Sequence, residues 1–227
     1  KSFCPVDLGT LVAKEAIDRS GYSPDEVEHA VFGNVIHTEP RDMYVSRVIA
    51  LQAGLAKESA ALTVNRLCGS GLQAIVSATQ LLMLGDASIT LAGGVEVMSN
   101  SAHIIQGFRW GTRMGDGNVH DMMLGALHDP FGHGHMGITA ENISDRYGIS
   151  RNSQDEFALT SQKRAGKAIN DGLFKEQILP IEIKTRKGVN IFEIDEHPKP
   201  ETTLETLSNL RTAFKKEGVV TAGNASG

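Results

Sequence analysis

Cysteine is nearly absent. Cys4 and Cys68 are the only two in 227 residues, too few for a disulfide scaffold, so each thiol is read by its own surroundings. A basic excess is absent too, since 22 Lys and Arg face 27 Asp and Glu for a formal charge of −5. Binding nucleic acid requires a cationic face that neutralises phosphates, so nucleic acid is not an expected partner. Long apolar runs are also missing. The longest, residues 71–84, is interrupted by Gln73, Ser77, Thr79 and Gln80 and falls short of the roughly 20 residues that span a bilayer; no secretory leader pattern is read. The expectation is a reducing cytoplasm and no membrane partner. Aromatics are scarce at 5%, yet 41% hydrophobic and 22% charged residues suit a chain that folds around a core, in one or two domains at this length.

The chain opens on Lys1 rather than Met, and the small residues 222–227 follow Val219 and Val220 with no closing helix, so it is read as a fragment. Apolar residues at helical spacing predict a helix over 7–20 with Asp7 as N-cap, and another over 43–53. Residues 30–37 read as a strand. Residues 61–65 read as a buried strand, 66–71 as a turn, the stretch to Leu84 as a helix, and 88–92 as a second strand. That succession is a βαβ unit with a parallel pair. Beyond Met98 eight glycines punctuate a loop-rich stretch, which predicts a domain boundary there, with residues 1–97 and 98–227 as two domains. Ser150 is the expected N-cap of a helix that stops at Asp171-Gly172, and short strands follow at 181–184 and 190–194.

Cys68 carries the clearest chemistry. It lies at a strand-to-helix turn, beside Gly69 and Gly71, where helix N–H groups favour negative charge and glycines leave room for a ligand to approach the sulfur. The pattern alone leaves two readings open, a nucleophile or a small buried thiol. His128, His133 and His135 are suitable metal ligands by type, but no cysteine or carboxylate cluster joins them, so no metal site is assigned. Arg186, Lys187, Lys215 and Lys216 read as solvated charge or as contacts to a phosphate. Met122, Met123 and Leu124 read as packing or subunit contact, and Cys4 as inert.

Four ordered motifs then carry a resemblance. Residues 65–74 (Asn-Arg-Leu-Cys-Gly-Ser-Gly-Leu-Gln-Ala), 93–96 (Gly-Gly-Val-Glu) with Met98 and Ser99, 135–142 (His-Met-Gly-Ile-Thr-Ala-Glu-Asn) and 218–227 (Gly-Val-Val-Thr-Ala-Gly-Asn-Ala-Ser-Gly) resemble the thiolase family. Residues 32–44 and 121–131 resemble in particular its biosynthetic type, the bacterial β-ketothiolases (acetyl-CoA C-acetyltransferases) that feed polyhydroxyalkanoate synthesis. The resemblance implies an α/β fold: a thiolase-like βαβαβ N-terminal domain, incomplete for want of its first strand, with an inserted α+β loop domain that binds coenzyme A. It implies that Cys68 takes an acyl group as a thioester and that its N–H helps hold an oxyanion. Leu127, His135, Met136, Ala213, Phe214, Ala222 and Ser226 would line the pantetheine and acyl channel.

The implied reaction forms or thiolyses short-chain 3-ketoacyl-CoA, with coenzyme A thioesters as substrates, no separate cofactor and no metal. The degradative 3-ketoacyl-CoA thiolases and a catalytically silent CoA-binding module are the alternatives. A homotetramer is expected by resemblance, with residues 99–117 contributing contacts. Two departures stand out. Val97 replaces a common serine, and Lys199 stands where many members place an arginine, keeping the charge but losing the planar surface. The family's Gly-His-Pro histidine, Cys-x-Gly cysteine and Asn-Gly-Gly-Ala asparagine, with the C-terminal thiolase domain, are expected beyond residue 227.

Overall fold

The computed structural model describes residues 2–111 and 113–226; Lys1, Thr112 and Gly227, the last of these closing the final motif, lie outside the described residues. Chain contacts divide the protein into two compact units, residues 1–126 and 127–227. The change of texture expected at residue 98 therefore precedes the division between the units. The intervening stretch belongs with the first unit because the Asn100 amide donates to the Phe3 carbonyl at 3.2 Å. A hairpin of β4 (His103–Ile105) and β5 (Val119–Asp121) then folds the segment back on itself.

The first unit is built on a three-stranded parallel sheet of β1 (His29–Gly33), β2 (Ala60–Val64) and β3 (Thr90–Gly94), ordered β2-β1-β3. The expected parallel pair of β2 and β3 is replaced by two pairs, each with β1. Burial explains the order. Ala30, Val31, Phe32 and Gly33 are all buried, whereas β2 and β3 are only partly so, and a strand apolar on both faces takes the centre. Alternation then sorts the faces. Ala30 and Phe32 join Val6, Ala13 and Ile17 of α1 (Pro5–Ser20) and Ile49, Ala50 and Ala53 of α2 (Val45–Ala53). Val31 meets Ala74 and Ala78 of α3 (Ser70–Leu84) on the other side. Inside the first layer, Ser46 Oγ accepts from Phe32 N at 3.0 Å and donates to Leu62 O at 2.7 Å, so a buried hydroxyl ties α2 to the sheet.

Several boundaries moved for identifiable reasons. The N-cap of α1 is Cys4 rather than Asp7; Pro5 takes the first turn, where its missing N–H costs nothing, and Asp7 Oδ2 reaches back to Cys4 N at 3.3 Å. β1 stops at Gly33, short of residue 37, because the amides of Val35 and Ile36 go to the Glu96 carboxylate instead of a ladder. The window Leu67–Leu84 reaches a mean hydropathy of 1.4, apolar enough by composition to cross a membrane despite its polar interruptions. The 15 residues of α3 nevertheless extend only about 22 Å, less than a bilayer's hydrocarbon core of about 30 Å, and one face packs on the sheet.

The second unit starts with the short antiparallel pair β6 (His128–Asp129) and β7 (Gly134–His135), then α5 (Met136–Tyr147) and α6 (Arg151–Asn170). Ser150 caps α6 as expected, its hydroxyl accepting from Ser153 N at 3.2 Å. An antiparallel hairpin of β8 (Ile181–Thr185) and β9 (Gly188–Phe192) follows, and the tight turn at Arg186-Lys187 starts β9 two residues before the expected position. α7 (Leu204–Ser208) leads into the final segment.

Candidate active site

The turn that carries Cys68 is wired from within. Asn65 Oδ1 accepts from Leu67 N at 3.0 Å, Arg66 N donates to Ser70 Oγ at 2.8 Å, and Ser70 Oγ donates to Leu67 O at 2.6 Å. Leu67 has φ +48°, the one positive φ outside glycine among the described residues. A side chain in that region costs of order 1–3 kcal/mol and persists only where the surroundings enforce it. The consequence is a sharp elbow that leaves Cys68 exposed, two residues ahead of the first residue of α3. The reading of this thiol as a buried hydrophobe is thereby corrected.

Glycines let the elbow sit this low on the sheet. A Cβ on Gly33 would come within 2.7 Å of the Ser70 backbone, and one on Gly94 within 3.3 Å of Gly71 Cα. The start of α3 therefore rests on the carboxyl ends of β1 and β3, the edge of an open parallel sheet where ligands bind. Beneath it the Glu96 carboxylate accepts from Val35 N at 3.0 Å, Ile36 N at 2.9 Å and Asn34 Nδ2 at 3.0 Å.

The other seven predicted residues all lie in the second unit. Leu127 accepts at its carbonyl from Met136 N at 2.8 Å, so the two are neighbours in the fold. His135 caps α5, its Nδ1 accepting from Gly137 N at 3.0 Å; the neutral ring then carries its proton on Nε2. Its ring stacks on Phe214 with centroids 4.8 Å apart and 22° between planes, and meets His128 edge-on at 5.2 Å. Phe214 in turn lies flat on Gly137, where a Cβ would stand 2.3 Å from three ring carbons. Ala213 N donates to Val220 O at 2.9 Å, while Ala222 and Ser226 are exposed in the closing loop.

Sequence reasoning missed the residues that hold these segments. Glu141 is 1% exposed, and its carboxylate accepts from Val219 N at 2.9 Å and Val220 N at 2.9 Å; a Cβ on Gly218 would strike it. Asp155, also 1% exposed, accepts from Arg151 Nε at 2.7 Å and Asn224 Nδ2 at 2.9 Å, and Asn224 Oδ1 takes Thr221 N at 2.8 Å. Arg151 continues to the carbonyls of Leu207 and Leu210 at 2.6 and 3.1 Å. These ionised groups satisfy backbone polar atoms that a tight loop cannot pair by itself. Their signal in the sequence was a carboxylate on the inward face of each helix. Among the described residues, no group of three or more His, Cys, Asp or Glu could hold a metal ion.

The whole chain, residues 1–227, matches the family described as "Thiolase, N-terminal domain". It is 55% identical over 228 residues to beta-ketothiolase BktB of Cupriavidus necator, covering 100% of this chain and 58% of that protein. It is 42% identical over 229 residues to human mitochondrial 3-ketoacyl-CoA thiolase, covering 100% and 57%. The crystal structure of Bacillus anthracis acetyl-CoA acetyltransferase superposes with a TM-score of 0.94 at 43% identity over 100% of this chain and 57% of that one. Human mitochondrial 3-ketoacyl-CoA thiolase in complex with CoA gives 0.93 at 40%, over 100% and 56%. The chain thus spans little more than half the length of the relatives it matches. An elbow cysteine on the carboxyl edge of a parallel sheet, motifs matched from end to end and near-superposable folds lead to one conclusion: the chain belongs to the thiolase family.

Proposed function

We propose that the protein is an acyltransferase that forms or thiolyses short-chain 3-ketoacyl-CoA through an acyl group carried on Cys68. The observation that carries this reading is the exposed thiol on its enforced elbow, in a chain of this family. The Cys68 thiol gives up its proton, the thiolate attacks the thioester carbonyl of an acyl-CoA, the C–S bond to coenzyme A breaks, and the departing CoA thiolate takes up a proton in exchange. A second acetyl-CoA then loses an α-proton, its enolate attacks the acyl-cysteine, and the new C–C bond displaces the Cys68 thiolate. Thiolysis is the same path reversed. Cysteine suits both directions because it is intrinsically nucleophilic and leaves readily from a thioester. The base for the α-proton is assigned to the family's Cys-x-Gly cysteine, and enolate charge to preorganised hydrogen bonds.

His135, Met136, Phe214, Leu127, Ala213, Ala222 and Ser226 are proposed to line the pantetheine and acyl channel. CoA binding is supported by the CoA complex of the human mitochondrial relative. The name acetyl-CoA acetyltransferase supports the short-chain branch, and the mitochondrial 3-ketoacyl-CoA thiolases are the relatives behind the degradative alternative. Met136 separates the two readings. Its side chain is 43% exposed at the start of α5, and its resemblance to a pocket-closing residue of short-chain members supports the short-chain reading. Met136→Ala should raise the thiolysis rate on a 3-ketooctanoyl-CoA relative to acetoacetyl-CoA by about tenfold, the scale of one to two methylenes in an apolar pocket. A wild-type enzyme already faster on the longer substrate would favour the degradative reading.

The protein is further proposed to work in the cytoplasm as a homotetramer. In support, Phe108, Trp110 and Met114, all within the connection between β4 and β5, are 70%, 88% and 96% exposed, apolar side chains of the kind buried between subunits. Light scattering of the intact protein should return four copies, and a monomer would overturn this.

A further inference from the structure

We infer that Glu96 is a positioning residue for Cys68, acting through the floor on which the start of α3 rests; the inference depends on Cys68 being the acyl acceptor. Among the described residues, the hydrogen bonds of Glu96 go to residues 34–36 and not to the elbow. Its carboxylate instead gathers three donors from the chain just beyond β1: Val35 N at 3.0 Å, Ile36 N at 2.9 Å and Asn34 Nδ2 at 3.0 Å. Asn34 is 1% exposed, and its amide nitrogen also donates to Val95 O at 2.9 Å, while Val95 N donates to Gly33 O at 3.0 Å. The chain leaving β1 and the chain leaving β3 are thus pinned together at residues 33–36 and 94–96. Among the described residues, Asn34 Oδ1 is buried without a partner. Flipping the amide would aim that oxygen at the carboxylate, so the negative charge of Glu96 sets the orientation even though a buried acceptor goes unsatisfied.

Two of the pinned residues form the seat of the elbow. Gly33 faces the Ser70 backbone and Gly94 faces Gly71 Cα, at separations that leave no room for a Cβ at Gly33 and little at Gly94. Backbone contacts this close transmit displacement, because packed interiors have no slack to absorb it. Ser70 also closes the elbow through Arg66 N and Leu67 O. A shift of the floor therefore reaches Leu67 and Cys68 through Ser70. Stabilising an oxyanion over the acyl carbon requires N–H donors placed to within a few tenths of an ångström, whereas simple alkylation of the sulfur requires only an accessible thiolate.

That difference supplies the test. In Glu96→Gln, the amide oxygen can keep Ile36 N and Asn34 Nδ2, but its NH₂ faces Val35 N, donor against donor. Three measurements on the intact protein decide the matter: hydrogen exchange by peptide, acetylation of Cys68 by acetyl-CoA, and alkylation of Cys68 by iodoacetamide. Exchange should quicken about tenfold or more over residues 34–36 and 67–72 while α1 and α2 keep their protection. Acetylation should slow about 10- to 100-fold, with alkylation within about twofold of wild type. Glu96→Ala should go further in the same direction.

Exchange unchanged over 67–72 would overturn the inference, as would wild-type acetylation in Glu96→Gln. Protection lost throughout the first unit would also overturn it, since Glu96 would then hold the fold and not the elbow. If wild-type Cys68 takes no acetyl group at all, the acyltransferase reading fails, and exchange over 67–72 alone decides for or against Glu96.

Discussion

Cys68→Ala should leave the intact protein unable to capture an acyl group: after exposure to acetyl-CoA, wild type should gain one acetyl increment in intact mass and the variant none. Turnover falls by at least about 10⁴-fold, the scale for removing a covalent nucleophile from a group of residues that act together. The fold should be untouched, because the thiol is exposed and exposed substitutions usually change stability by no more than about 0.5 kcal/mol. Loss of chemistry without loss of stability is what separates a nucleophile from a packing residue. Nor can the other cysteine take over. Burial, followed by the hydrogen bond with the Asp7 carboxylate, pushes the Cys4 thiol up from its ordinary value, so less of it is thiolate at neutral pH. An acetyl increment retained by the variant, or a drop in melting temperature matching the loss of rate, would count against the assignment.

Gly137→Ala should damage the packing of Phe214 and His135 although helix propensity says the opposite. Alanine inside a helix is favoured over glycine by up to about 1 kcal/mol. The new methyl, however, would stand 2.3 Å from the Phe214 ring, which is itself stacked on His135 at 4.8 Å. The ring must leave, at about 1–3 kcal/mol for overpacking and a further 0.5–1.5 kcal/mol for the lost stack. Steric cost wins. If this surface holds pantetheine, KM for the acyl-CoA should rise about tenfold or more, while alkylation of Cys68, a reaction that uses no CoA, stays at the wild-type rate. An unchanged KM would remove His135 and Phe214 from the proposed channel.

Helices and strands were legible wherever one periodicity dominated, as in α1, α3 and α6. Neighbour relations were not. The order β2-β1-β3 depends on which strand is buried on both faces, and Ala-Val-Phe-Gly at 30–33 shows that only once helices are known to cover both sides. Cys68 and its glycines stood out because elbow chemistry is local. Glu96, Glu141 and Asp155 did not, because a carboxylate that satisfies distant amides looks in sequence like any solvated acid. Only the 60 or more residues between Glu96 and its partners, and the 78 between Glu141 and Val219, reveal their work.

Glu141 and Gly218 constrain each other through their contact. A methyl at 218 would lie 2.1 Å from Glu141 Oε1, and removing the carboxylate would strand the amides of Val219 and Val220. Each single change is therefore costly by itself, whereas a shorter side chain at 141 would make room for a methyl at 218. In a double-substitution cycle the cost of changing both should fall well short of the sum of the two single costs. The pair behaves as one structural unit, and the reason for a glycine at 218 lies on α5.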